Sequence, residues 1–177
     1  MRRIPIMVAT LVVAAATATA AFAAINVKSY PTAAIGSPDA QSVTVTGGNF
    51  SGLGNTPAIA TLTAFGQATY ECSNGPGHVV PGQNPVEAQP GSSGGLDLGN
   101  SQHNGRGTIS TITATVQSPG TPTSQEVGCG GSGSTNWTVK QTSLTATCAE
   151  LVIKEGSTVV FSRTYTADGI GTAGLTC

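Results

Sequence analysis

The sequence predicts an all-β protein: an antiparallel β-sandwich, immunoglobulin-like or related, stabilised by disulfides and preceded by an N-terminal signal peptide. Three observations predict it. Strand-like runs alternate apolar and polar residues with a period of two, most clearly from Ala58 to Cys72. Past the N-terminal segment, no window spaces its apolar residues as a helix face does, and Thr and Val dominate where Leu, Glu and Lys would be expected. Segments rich in Pro, Gly, Ser and Asn separate the runs, which is how short strands and turns build sandwiches.

Composition agrees. Only 8% of the 177 residues are charged, about a third of the usual share, so coiled coils and helical bundles with their charged faces are excluded. Seven cations face eight anions, and without Arg2 and Arg3 the balance is five against eight. That mildly acidic chain lacks the basic footprint of a nucleic-acid binder, so no nucleic-acid partner is expected.

Arg2 and Arg3 open the chain as a positive n-region, Ile4 to about Ala16 is apolar, and Ala21-Phe22-Ala23 fits the small-x-small pattern read by signal peptidase. Residues 1–23 are therefore read as a signal peptide for general secretion. The apolar stretch is short for a membrane anchor, and the first cysteine, Cys72, is far from the cleavage site of a lipoprotein. The mature chain has no membrane span, and the expected location is secreted, extracellular or in the cell wall. Residues 24–39, with Pro31, Gly36 and Pro38, read as an irregular leader, and 40–177 as a single β-sandwich domain.

Within that domain, Gln41 to Thr46 alternates with Val43 and Val45 on one face, and Gly47-Gly48-Asn49 closes the strand. Ser51 to Asn55 reads as a loop. From Ala58 to Cys72 the even positions form an apolar face and the odd ones a largely polar face, the pattern of a half-buried antiparallel strand, with Gly66 marking a bulge or bend. Ser73 to about Gly95 is a long Pro/Gly-rich loop, ordered or mobile. Thr108 to Gln117 is a further strand with Ile112, Ala114 and Val116 on one face; Ser118 to Thr135 is a second long loop. Asn136 to Val139 opens another β run with the only tryptophan, Trp137. Ser143 to Ile153 and Thr158 to Thr166, joined by Lys154-Glu155-Gly156-Ser157, read as a hairpin. Leu144, Ala146 and Cys148 are expected on one face of its first strand, and Val159, Phe161 and Tyr165 on one face of its second.

Cys72, Cys129, Cys148 and Cys177 form an even set in an exported chain and read as two disulfides. Three pairings are possible, with Cys72–Cys129 and Cys148–Cys177 favoured. With no CxxC and no close His–Cys pair, zinc is not expected.

Ser42 to Asn55 (SVTVTGGNFSGLGN), Gly82-Gln83-Asn84-Pro85 and Asn136-Trp137-Thr138 resemble an uncharacterised family of small secreted β-rich proteins from actinobacteria. The resemblance implies a secreted β-protein in which a cysteine after the long strand and another before the Asn-Trp pair recur, at Cys72 and Cys129. That supports the favoured pairing. It implies no activity.

No catalytic set stands out: there is no GxSxG, HExxH, P-loop or dinucleotide fingerprint, so no enzyme, catalytic residue or cofactor is expected. His78 and His103 both lie in loops and read as solvated. The carboxylates Glu71, Glu87, Asp97, Glu126, Glu150, Glu155 and Asp168 sit mostly at strand ends and turns, Glu155 as a turn residue. A calcium site at Asp97, Asn100 and Asn104 would have loop oxygens but lacks a bidentate Glu, and no metal site is expected. The sequons at Asn49 and Asn136 read as accidental. An aromatic sugar platform from Trp137 with Tyr70, Phe65, Phe161 or Tyr165 is conceivable, but a lone Trp reads first as a core or sheet-end plug. His78, Gln83, Asn84 and Trp137 are the candidate binding-loop residues. The expected function is a secreted or envelope-associated structural and interaction protein, self-assembling with copies of itself or contacting envelope components. The alternative is a binding module for a small apolar molecule or glycan.

Overall fold

The computed structural model describes residues 25–100, 105–130, 136–167 and 169–170, and every regular element among them is a β-strand. In chain order these are β1 (Asn26–Ser29), β2 (Thr32–Ile35), β3 (Ser42–Thr46), β4 (Asn49–Ser51), β5 (Ala58–Asn74), β6 (Val79–Pro81) and β7 (Val86–Glu87). Then follow β8 (Gly91–Ser92), β9 (Leu96–Asp97), β10 (Arg106–Thr108), β11 (Thr111–Thr115), β12 (Trp137–Glu155), β13 (Thr158–Thr166) and β14 (Gly169–Ile170). All pairings are antiparallel. The expected signal peptide, residues 1–23, lies outside the described residues.

The larger layer is built on β5 and β12, of 17 and 19 residues, paired from Asn74↔Trp137 to Ala58↔Glu155. At about 3.3 Å per residue each spans some 55–60 Å. The even face of β5 is buried throughout except at Gly66 and Asn74, as the alternation predicts. The run at Asn136–Val139 and the one starting at Ser143 are not separate: both belong to β12. A tight turn at Gly156-Ser157 then returns the chain as β13.

Two expectations for this hairpin change because of bulges. Between Ala146↔Gly66 and Cys148↔Phe65, β12 carries one extra residue, Thr147. An extra residue reverses the facing of everything beyond it. Leu144 and Ala146 therefore point inward, Cys148 pairs with Phe65 on the outer face, and the core continues at Ala149, Leu151 and Ile153. The bulge expected near Gly66 is thus carried by the partner strand. Likewise an irregularity between Ile153↔Phe161 and Lys154↔Val159 removes Val159 from the face of Phe161 and Tyr165, leaving it 43% exposed.

The smaller layer comprises two three-stranded sheets, β1-β4-β10 and β2-β3-β11, which follow one another along the same three chain segments. On the β10–β11 side the pairing keeps one offset from Arg106↔Ser51 to Thr115↔Ser42, and across the break Ile109 N–H donates to the Gly48 carbonyl at 3.1 Å. The layer is thus one sheet with a kink. Gly47 and Gly48 supply it with φ of 70° and 95°, and a β-carbon on Gly48 would press on the Pro31 ring at 3.0 Å. Residues 24–39 are therefore not an irregular leader: Asn26–Ser29 and Thr32–Ile35 form one whole edge of this layer.

Between the layers lies one core. Val43, Val45, Phe50, Ile109, Ile112, Ala114 and Val116 face Ala60, Leu62, Ala64, Leu151 and Ile153, and Phe50 meets Phe161 edge to face at 5.3 Å. Outer faces are covered by hydroxyls that pair across strands, as in Thr44–Thr113 and Ser42–Thr115.

The long 73–95 loop is ordered. Past the turn at Asn74–His78 it runs back along the free edge of β5 as β6, β7, β8 and β9. The same segment reaches the smaller layer, where Gln89 and Gln117 exchange backbone hydrogen bonds of 2.9 Å. It closes one side of the sandwich like a strap. The 118–130 segment covers the far end of β5 with Val127 and Cys129, and Cys129 is bonded to Cys72. Cys148 is not a free thiol; its expected partner, Cys177, lies outside the described residues.

Candidate functional site

Opposite the strap no strand pairing joins the two layers among the described residues, and the outermost strand of the larger layer there is β14, paired to β13 at Tyr165 and Thr166. There β2, the edge of the smaller layer, faces the end of β13 without pairing to it. The resulting seam holds a cavity of about 320 Å³ lined by Pro31, Thr32, Ala33, Ile35, Tyr165, Thr166 and Ala167. Its walls come from two different layers, joined at the base where the Tyr165 hydroxyl donates to the Pro31 carbonyl at 3.2 Å. Pro31 and Tyr165 are buried and Ala33 and Ile35 half-buried, and the lining combines the apolar side chains of Pro31, Ala33, Ile35 and Ala167 with the hydroxyl-bearing Thr32, Tyr165 and Thr166.

Next to Tyr165 along the inward face of β13 stands Arg163. Its guanidinium lies over the Tyr30 ring at 4.4 Å and beside the Tyr165 ring at 5.7 Å. Its Nε is buried and has no hydrogen-bond acceptor among the described residues, where the one ion pair is Lys140–Glu71, elsewhere. Tyr30, 61% exposed, covers this cation from the solvent side. Burial pushes the Tyr165 hydroxyl up to about 12, with Arg163 pulling the other way, so the group is a neutral donor across the physiological range.

The candidate loop residues gather elsewhere, towards the far end of β5. His78 donates its backbone N–H to Asn74 Oδ1 in an exposed turn, and Trp137 pairs with Asn74 across the ladder, half-buried against the core. Gln83 and Asn84 are exposed, but their backbone N–H groups both donate to the Val127 carbonyl and the Asn84 amide reaches the Glu126 carbonyl. These two pin the 118–130 segment in place.

The aromatic set does not assemble into a platform. Tyr70 is buried with its hydroxyl on the Gly120 carbonyl, Phe161 packs on Phe50, Tyr165 lines the seam and Phe65 sits on the outer face. The carboxylates hold structure: Glu155 accepts from Gly54 N–H at 2.7 Å, Glu150 from the Ser162 hydroxyl, Asp97 from Gly99 N–H, and Glu126 from both Thr123 N–H and its hydroxyl. Those last two bonds hold Glu126 below the usual glutamate range. Among the described residues no three His, Cys, Asp or Glu side chains cluster as metal ligands. His103 and Asn104 lie outside the described residues, as does Asp168.

Tyr30 and Arg163 escaped the sequence reading. The signal was there: Arg163 falls between Phe161 and Tyr165 on the inward phase of β13, and a cation on an apolar face calls for a reason.

The fold and seam define a two-layer, disulfide-stapled β-protein in which, among the described residues, strand pairing joins the layers on one side and not on the other. No protein-family model, curated protein or solved structure matches the chain.

Proposed function

We propose that this is a secreted or cell-wall-associated interaction protein without catalytic activity, which takes up a small apolar molecule in the seam. The observation that carries the reading is the 320 Å³ cavity between β2 and β13, at the small end of the range of about 300–1,000 Å³ that ligand sites occupy. The apolar side chains of Pro31, Ala33, Ile35 and Ala167 in its wall are what such sites use. The structural employment of Glu126, Glu150, Glu155 and Asp97 speaks against an acid–base pair among them. The disulfide and the absence of a long apolar helix among the described residues are compatible with an exported chain. Membership of the secreted actinobacterial group that the sequence resembles belongs to the same proposal.

Uptake of a neutral fluorescent probe, N-phenyl-1-naphthylamine, tests it. Saturable binding by the full chain that is lost in Ala33→Phe, with the fold retained by circular dichroism, is the expected result. No saturable uptake, or uptake indifferent to A33F, overturns it.

A second reading, assembly of copies through strand edges, is favoured by the edge of β2 at Thr32–Ile35, which among the described residues pairs only with β3. It requires native mass to rise with concentration in light scattering; a strict monomer sinks it.

A further inference from the structure

We infer that the guest of the seam is an amphiphile with an acidic head, a small fatty-acid-like carboxylate, and that Arg163 receives that head. The inference rests on the seam reading above and adds to it the chemical class of the ligand. A guanidinium costs free energy to bury and is ordinarily matched by a carboxylate, a phosphate or a set of carbonyl acceptors. Arg163 has none of these among the described residues: it is covered by the faces of two tyrosines, and its Nε is buried with no acceptor. Ring faces attract a cation but accept no directed hydrogen bond as a carboxylate does. The donor fork therefore retains unused capacity.

The neighbourhood sets what can use it. Tyr165 both lines the apolar cavity and stands 5.7 Å from the guanidinium, and Tyr30, over Arg163, is the chain neighbour of Pro31 in the cavity wall. Arg163 is not itself in the cavity wall: a molecule whose hydrocarbon part fills the space between Ala33, Ile35 and Ala167 brings its other end to Arg163 only by displacing the Tyr165–Pro31 contact at the base. A neutral hydrocarbon fills the cavity and leaves Arg163 as it is. An anionic head adds a charge-assisted, two-pronged hydrogen bond in a site partly shielded by Tyr30, so the acid is preferred. A cationic head is repelled.

Binding of decanoate and of decanol to the full oxidised chain, each measured by displacement of N-phenyl-1-naphthylamine, tests the inference. Decanoate should bind more tightly than decanol by on the order of tenfold at low ionic strength. The advantage should shrink as salt is added, disappear in Arg163→Met, and survive in part in Arg163→Lys, which keeps charge but loses the fork. The salt series uses the unaltered chain and so holds even if R163M does not fold. Equal binding of acid and alcohol, or a preference unmoved by both salt and R163M, overturns the acidic head while leaving the apolar seam standing. Failure of the probe itself to bind overturns the seam reading and this inference with it.

Discussion

Gly91 of β8 lies so close to the carbonyl group of Thr115 in β11 that no β-carbon fits between them. This contact is where the strap from one layer meets the edge of the other, so backbone sits on backbone and neither side can yield by turning a side chain. Gly91→Ala is expected to lower stability by about 1–3 kcal/mol through overpacking. Gly94→Ala, in the same strap with open space around it, is expected to stay within about 0.5 kcal/mol of the parent. Urea denaturation of the two variants checks the pair, and equal effects would show that the strap is not seated on β11.

The Cys72–Cys129 bond closes a loop across a sequence separation of 57 and anchors the segment that covers the end of β5. Replacing both cysteines by alanine should cost about 2–4 kcal/mol. The loss should be concentrated locally, with faster amide exchange at Gln83 and Asn84, whose N–H groups depend on the Val127 carbonyl. A change spread evenly over the ladder of β5 and β12 would argue against that anchoring role.

Alkaline stability should report on the seam. Tyr165 holds its proton to about pH 12 when folded against an ordinary value of 10.0. The folded state then binds more protons than the unfolded one between those values, so stability is full below about pH 10 and falls as pH rises toward 12. Tyr165→Phe should flatten this limb, at a cost near neutrality of about 1 kcal/mol for the lost bond to Pro31. Melting temperature against pH for both proteins, alongside ultraviolet tyrosinate absorbance, decides it.

At the acid end the sign is opposite. Glu126 is held below the usual glutamate range by the N–H and hydroxyl of Thr123. Its contribution is present above the ordinary glutamate pKa and is lost as pH falls through the lowered folded value. Glu126 is fully exposed to solvent, so the effect is best read by NMR titration of its side chain. Thr123→Ala, which keeps the N–H bond and removes the hydroxyl, should move the midpoint upward in part; an unchanged midpoint would count against the hydroxyl as a cause.

Much of this architecture was legible in the chain. Period-two alternation from Ala58 to Cys72 announced both the strand and its buried face, and the Gly156-Ser157 turn announced the hairpin. What alternation cannot show is an inserted residue: Thr147 reversed the phase of β12, and nothing in its own chemistry marks it as the extra one. The strap was hidden because β7, β8 and β9 are two residues each, too short to display a period, and exist only because β5 offers a free edge. The first edge of the smaller layer was masked in the same way by Tyr30-Pro31, which reads as punctuation although the strand resumes immediately beyond it. The seam needed both of these corrections before it could be seen, since it is defined by which edges remain unpaired among the described residues.

The pairing of β5 with β12 also dictates a sequence of events in time. Ala58 must wait for Glu155, and Asn74 for Trp137, so the central strand of the larger layer leaves the ribosome long before its principal partner has been made. In that interval the strap that follows β5 directly is its nearest available companion, and it reaches one edge only. A growing chain therefore carries seventeen residues of half-apolar strand with one side unguarded, a state that invites association between nascent copies. Chains interrupted before Trp137 would be stranded in that state for good, and refolding from denaturant should be slow, limited by this distant ladder and not by the local hairpin.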